Sequence, residues 1–383
     1  MNKIITFEDS KKNNKKIMKK NIEDLSDGNN KKDIKQKLGQ FYTTNFTYIL
    51  QGMDIPIGIN HIIEPFAGNG DLLKFIKDEN KSKYKIDCYD IDPKKDYILK
   101  RDTLNNPPDY TNAFTISNPP YLARNKSKDK TIFDKYDVND LYKCDIKELI
   151  KNKCLGGIRI IPLNFWSSIR NADILLRKDF LSVYDIVRLN IFEERVFDDT
   201  SYTICAIQFT LRKEESITCI SSKLDNIWIY PSNIQINAVL DNNNDWLVGG
   251  DIYKLKKKGK YTISRATSFN KNKLNTNILV KCIDDNAKNH IGLSIVPNDK
   301  LYIDETPNLS SRTYASLIIT PEIDNIKQIQ LVENFNTFLA NYRKKYHSLF
   351  LTNYRESKDI ARKRISFELV YHIVENILDT LDT

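Results

Sequence analysis

No uninterrupted apolar run reaches the roughly 18 residues that a membrane-spanning helix needs. The lysine-rich start also lacks the apolar stretch of a secretory leader. A soluble, intracellular protein with no membrane partner is the expectation. Cysteine pairs are missing too: Cys88, Cys144, Cys154, Cys205, Cys219 and Cys282 stand apart, with no Cys-x-x-Cys and no histidine at ligand spacing. That argues against a metal site, and the expected compartment argues against disulfides. The four histidines, His61, His290, His347 and His372, form no recognisable triad and read as core or surface residues. Glycine and proline are scarce beside abundant lysine, asparagine, isoleucine and tyrosine, the bias of an AT-rich genome. The net charge of +9 suits a polyanionic partner. Because lysine excess can follow from nucleotide composition alone, it carries only modest weight.

With 383 residues there is room for two domains with ordinary cores. Residues 1–35, with Lys11-Lys-Asn-Asn-Lys-Lys-Ile-Met-Lys-Lys20, read as a basic, solvated tail. His61-Ile-Ile-Glu64 reads as a short strand entering the glycine-rich turn Pro65-Phe-Ala-Gly-Asn-Gly70. Asp71–Lys77 follows with helical spacing of its apolar residues. Gly68 and Gly70 permit positive φ and close approach of the backbone to a ligand. A second strand, Lys85–Tyr89, ends at Asp90, about 20 residues on, the offset at which nucleotide-binding α/β units hold ribose hydroxyls. Asp102 ends the next strand-like segment, where it is placed to take an adenine amino group. The pattern is not the Gly-x-Gly-x-x-Gly of dinucleotide enzymes.

Ala113–Ser117 is β-branched and aromatic, a buried strand that delivers Asn118-Pro119-Pro120-Tyr121 to its carboxyl end. Two prolines fix φ and hold that corner rigid without secondary structure. An exocyclic amino group on a purine is a poor nucleophile, because its lone pair is delocalised into the ring. Two acceptors, the Asn118 side-chain oxygen and the Pro119 carbonyl, suit the two N–H bonds of such a group. They would draw the nitrogen toward tetrahedral geometry for attack on a methyl sulfonium. Tyr121 is the expected stacking surface for the base. The plain alternative is an ordinary Pro-Pro turn after a strand.

With these segments in hand the chain resembles the adenine-N6 amino DNA methyltransferases that use S-adenosylmethionine. Glu64-Pro-Phe-Ala-Gly-Asn-Gly70 is similar to the family's cofactor loop and Asn118-Pro-Pro-Tyr121 to its catalytic motif. Leu38-Gly-Gln-Phe-Tyr-Thr-Thr44 resembles the segment that covers the methionine part of the cofactor, and Tyr89-Asp-Ile-Asp-Pro-Lys94 the ribose motif, although the family usually carries a larger acid than Asp90. Leu155–Pro162 and the hairpin Arg188–Arg212 complete a match over roughly residues 36–212. The resemblance implies an α/β, Rossmann-like methyltransferase domain with a mixed central sheet. It implies cofactor contacts from Phe41, Tyr42, Thr43, Glu64, Pro65, Ala67, Gly68, Gly70, Asp90, Ile91, Asp102, Thr103 and Asn118. Catalytic roles fall on Asn118, Pro119, Pro120, Tyr121 and Phe197, with Tyr202 in reserve for stacking. No cysteine follows a proline, so the nucleophile of the cytosine-C5 enzymes is missing.

Segment lengths leave no room for a recognition domain between Gly70 and Asn118, whereas about 170 residues follow the hairpin. The expected order is the gamma arrangement, with an α+β target-recognition domain over 213–383. Within it, strands are expected at Asn226–Tyr230, Trp246–Gly250, Tyr261–Ser264 and Leu317–Thr320, and helices at Ile326–Tyr346 and Asp359–Leu381. Double-stranded DNA is the expected partner, entered by base flipping. A restriction endonuclease paired with this chain is expected to be a separate polypeptide. RNA purines and cytosine-N4 remain alternative targets, and a catalytically idle DNA-binding protein is the alternative of a different class.

Overall fold

The computed structural model describes residues 45–194, 196–197, 202–213, 221–256, 259–283, 285, 290–357 and 360–383. Phe41, Tyr42, Thr43, Cys219 and the basic segment 1–35 lie outside the described residues.

The amino-terminal unit is built on a nine-stranded sheet. In chain order its strands are β1 (His61–Glu64), β2 (Lys85–Asp90), β3 (Leu99–Lys100), β4 (Phe114–Ser117), β5 (Gly156–Pro162), β6 (Tyr184–Phe192), β7 (Ile204–Leu211), β8 (Ser221–Tyr230) and β9 (Ile234–Asp241). Their spatial order is β3-β2-β1-β4-β5-β7-β6-β8-β9. The first five run parallel, β7 is antiparallel between β5 and β6, and β8 pairs parallel with β6. This is the Rossmann-like mixed sheet expected from the sequence. β4 and β5 are buried at every position, as strands covered on both faces must be. Their close spacing depends on Gly157, where an added Cβ would lie 2.4 Å from the Thr115 carbonyl oxygen. Arg159, fully buried in β5, is neutralised by Asp145 (2.7 Å) and also donates to the Thr115 hydroxyl (2.9 Å).

From β1 the chain builds outward through β2 and β3, then returns to the other side of β1 as β4 and β5. The reversal leaves a crevice between the carboxyl ends of β1 and β4, where open α/β sheets bind ligands. Asp71–Lys77, expected to be helical, forms only a short 3-10 turn at Leu72–Phe75, and Ile76 is already extended.

The expected boundary after residue 212 is not where the structure divides. β8 and β9 extend the central sheet through Leu189↔Ile227 and Ile227↔Ile236, and their buried residues join its core, as do Trp246 and Val248. Edge strand β6 has backbone groups to satisfy, and β8 supplies them. A separate core begins at Ile252, so the second unit starts near residue 250. There β10 (Thr262–Arg265), β11 (Ile278–Lys281), β12 (Gly292–Ile295) and β13 (Tyr314–Thr320) form a sheet in the order β10-β13-β11-β12. Helices Asn325–Tyr346 and Phe367–Leu381 pack on it, beside a hairpin of β14 (Thr352–Ser357) and β15 (Ile360–Arg364).

Two further expectations fail here. Trp246–Gly250 is a buried turn closed by Trp246 N–H to Asp241 O and Gly250 N–H to Leu247 O, not a strand. The last helix starts at Phe367 rather than Asp359, because Ile360–Arg364 is taken up by β14 and Ser366 caps the helix by accepting from the Leu369 amide. The units meet where Glu193, just past β6, is held by His347 (3.0 Å) and Lys363. Burial alone would raise the Glu193 carboxyl, but these two partners pull it down to about 2. Among the described residues no helix is long and apolar enough to cross a membrane.

Candidate active site

At the carboxyl ends of β1, β2 and β4 lies a cavity of about 360 Å³, the size range of small-molecule sites. Its backbone is set by the glycine loop. Ala67 N–H donates to the Tyr89 carbonyl (2.8 Å), and Gly68 N–H donates to Asp90 Oδ2 (2.7 Å), stitching the loop to β2. Asp90 Oδ1 accepts from the Asp92 amide (2.8 Å), which turns the chain sharply away after the strand. Thr103 donates its hydroxyl to the Pro65 carbonyl (2.9 Å), tying the third strand end to the first. Asp102 accepts from the Asn105 backbone (3.2 Å) and side chain (2.7 Å). Both acids keep spare lone pairs toward the cavity.

Glu64 is the unusual group. It lines the cavity at 1% exposure, and its Oε2 has no hydrogen-bond partner. Burial, then the nearby charges of Asp90 and Asp71, push its carboxyl well above the ordinary range, against a weaker pull from Arg159. A buried carboxyl with an orphan oxygen is suited to an ammonium group. Leu104, Leu122, Ile132, Phe133 and Leu141 give the cavity apolar lining, together with half-exposed Ile91. This combination fits a planar ring at one end and a cationic amino acid head at the other. A nucleoside carrying a positively charged tail, as S-adenosylmethionine does, matches those acceptors.

Of the residues singled out in the sequence, Glu64, Ala67, Gly68, Asp90, Ile91, Asp102, Thr103, Asn118 and Pro120 line this one cavity. Pro65 lies beneath it through its carbonyl. Gly70 instead borders a neighbouring groove, where the Tyr97 hydroxyl would lie 2.3 Å from an added Cβ. Pro119 is buried behind Asn118. Tyr121 is not a stacking surface in this structure: its ring is 2% exposed, edge-on to Tyr142 (6.3 Å) and Tyr202 (6.0 Å). The prolines that stiffen the corner turn its ring into the core. Phe197 is likewise buried in the main core and does not border the cavity.

Leu122, Ser127 and Asp129 belong to the polar segment Leu122–Lys130, which the sequence suggests is a loop beside the active site, whereas Ile132, Phe133 and Leu141 escaped sequence reading. The segment after the tetrapeptide carries no periodicity, so nothing local announces them. Tertiary pairing places them: Arg124 N–H donates to the Asn139 carbonyl (2.9 Å), and Leu122 N–H to Asp140 Oδ1 (3.1 Å). Burial pushes the Asp140 carboxyl up to about 6, with Lys143 opposing. Among the described residues no cluster of side chains could hold a metal ion.

No protein-family model matches the chain, and no curated protein matches it. Solved structures do. A modification subunit of a putative type I restriction enzyme from Vibrio vulnificus YJ016 is 12% identical, over 52% of this chain and 49% of that one, with a TM-score of 0.38. A putative class I S-adenosylmethionine-dependent methyltransferase from Listeria monocytogenes is 14% identical, over 48% and 61%, with a TM-score of 0.34. A type I restriction-modification methyltransferase subunit from Streptococcus thermophilus is 14% identical, over 50% and 48%, with a TM-score of 0.36. The match thus spans about half the length of the first of these relatives. Similarities this slight carry no functional assignment, which rests on the site itself.

Proposed function

We propose that this chain transfers a methyl group from S-adenosylmethionine to N6 of adenine in duplex DNA. The observation that carries the reading is a single cavity in which Asn118 and Pro120 share walls with Glu64, Gly68, Asp90 and Asp102. The cofactor and catalytic segments, distant in sequence, thus border one space. When bound, the cofactor supplies an electrophilic methyl on its sulfonium. Glu64 would pair with its ammonium, Asp90 would take the ribose hydroxyls, and Asp102 would take the adenine amino group. Ile91, Phe133 and Leu141 flank the ring.

The target adenine leaves the helix to reach Asn118. Asn118 Oδ1 and the Pro119 carbonyl would accept hydrogen bonds from its two N6–H groups and so aim the nitrogen. The N–CH3 bond forms as the S–CH3 bond breaks, and the nitrogen then loses a proton to solvent. Residues from about 250 onward serve target recognition, in the gamma order.

The test incubates the chain with methyl-labelled cofactor and genomic DNA, then digests to nucleosides. Label in N6-methyldeoxyadenosine is expected. Label confined to RNA, or to N4-methylcytosine, would overturn the substrate assignment.

A further inference from the structure

We propose that the segment from Ala123 to Phe133 has two working faces, and that its outer row of lysines grips backbone phosphates of the duplex beside the target base. The inference rests on the methyltransfer reading and deepens it by naming the surface that meets the polyanion. Ser127, Asp129, Ile132 and Phe133 line the cavity. Lys126, Lys128 and Lys130, which alternate with the first two, are exposed and take no part in that lining. Other exposed lysines near the site are each occupied by a local acid: Lys74 by Asp71, Lys81 by Asp78, and Lys94 by Asp92. Arg124, in the same stretch, pairs with Asp134 at 2.6 Å. Lys126, Lys128 and Lys130 pair with no acid among the described residues. Three neighbouring ammonium groups left uncompensated favour an anion that spans them.

The row is mounted on an anchored turn. Ala123 bridges to Asp140, and the Arg124 amide donates to the Asn139 carbonyl at 2.9 Å. Ser127 donates its hydroxyl to the Asp129 carbonyl (2.5 Å), and the Asp129 carboxylate accepts from the Thr131 amide (2.9 Å). The helix that follows, Thr131–Tyr136, is fastened to the cavity wall. Lys135 Nζ and the Tyr136 hydroxyl both donate to the Leu104 carbonyl, at 2.9 and 2.7 Å. Lysines on such a base give up less freedom on meeting phosphate than lysines on a loose tail. Phosphate contacts carry no sequence information, so this face sets the placement of the strand and leaves base reading elsewhere. Because the same segment walls the cofactor cavity, filling that cavity steadies the lysine row. By linkage the two ligands then strengthen each other's binding.

Equilibrium binding of a duplex oligonucleotide over a range of salt, with and without S-adenosylhomocysteine, tests both faces. Each phosphate contact contributes about 0.9 to the slope of log affinity against log salt. Combining Lys126→Gln, Lys128→Gln and Lys130→Gln is expected to flatten that slope by about 2–3, each single replacement supplying about one third. Melting temperature, and affinity for the analogue without DNA, should keep their wild-type values, since none of the three lysines lines the cavity. In the unaltered chain the analogue should tighten duplex binding about fivefold or more, and the triple variant should lose that gain. As a control, Lys151→Gln, Lys153→Gln and Lys178→Gln remove three exposed lysines that precede the amino ends of β5 and β6. This control should keep both slope and gain. A wild-type slope in the triple variant, a gain that survives it, or equal flattening in the control would overturn the inference and leave methyl transfer to adenine standing. Absence of transfer by the unaltered chain would instead sink the parent reading, and with it the choice of duplex DNA as the occupant.

Discussion

Asp90 Oδ2 accepts from the Gly68 amide at 2.7 Å, so the acid that is to hold the ligand also holds the loop that cradles it. Its other oxygen takes the Asp92 amide at 2.8 Å. The prediction concerns Asp90→Asn, which keeps one acceptor and turns an NH2 toward the second amide. One charge-assisted hydrogen bond contributes about 1.5–3 kcal/mol. Calorimetric titration should show cofactor affinity falling roughly tenfold to a hundredfold.

Asn118→Ala should separate chemistry from binding. The side chain borders the cavity with Pro120, and its proposed role is toward the target base. Losing a preordered acceptor of this kind costs roughly 10²–10³ in rate. Transfer should fall by that factor while cofactor affinity, read by equilibrium dialysis, stays within about twofold. Equal loss of both would break the proposed division of labour.

Glu64→Gln trades stability against binding. A carboxyl whose folded pKa is raised is penalised when ionised, so the ligand-free chain loses stability as pH rises past the ordinary carboxylate range. Glutamine has no such cost. At pH 8 the ligand-free variant should melt above the wild type and bind the cofactor more weakly, with the melting difference vanishing near pH 4. Thermal scans with and without ligand check both halves.

Asp140 offers a second, narrower pH window. Its carboxyl is raised to about 6 by burial, so protonation favours the folded state. Stability is therefore lost between the ordinary aspartate value and about 6 as pH rises, and is flat above. Asparagine still offers an oxygen to the Leu122 amide. Asp140→Asn should flatten the melting profile across that window and raise stability at pH 7 by up to about 3 kcal/mol. A variant that melts lower at every pH would contradict this.

Arg177 is fully buried and donates to the carbonyls of Phe165, Ser168, Asp245 and Trp246. It fastens the helix Asn171–Val183 to the turn that closes the sheet unit. Arg177→Ala would leave those carbonyls unpaired beside a void, costing about 3–5 kcal/mol. Denaturant titration should register a lower midpoint for the sheet unit.

Much of the site was legible because its residue types are tied to strand ends. Ile62 and Ile63 make β1, the glycines make the turn, and the prolines stiffen the corner after β4. Each is a local constraint on φ or burial, visible within a few residues. Asp90, Asp102 and Asn118 could thus be placed at strand ends from spacing, while Glu64 was suggested only by the resemblance. Ile132, Phe133 and Leu141 could not be placed, because an apolar residue carries no sign of which wall it will join. Ile360–Arg364 was misread for a related reason: a short basic stretch before a helix has no local signature of pairing with β14.

What residue order determined by itself was the set of strand ends and the chemistry each one carries. Only the tertiary structure decided the rest: that β8 and β9 finish the central sheet, and that Tyr121 points into the core. Those outcomes depend on which edge needs hydrogen-bond partners and which side of a rigid corner has space, and neither is a property of any short segment.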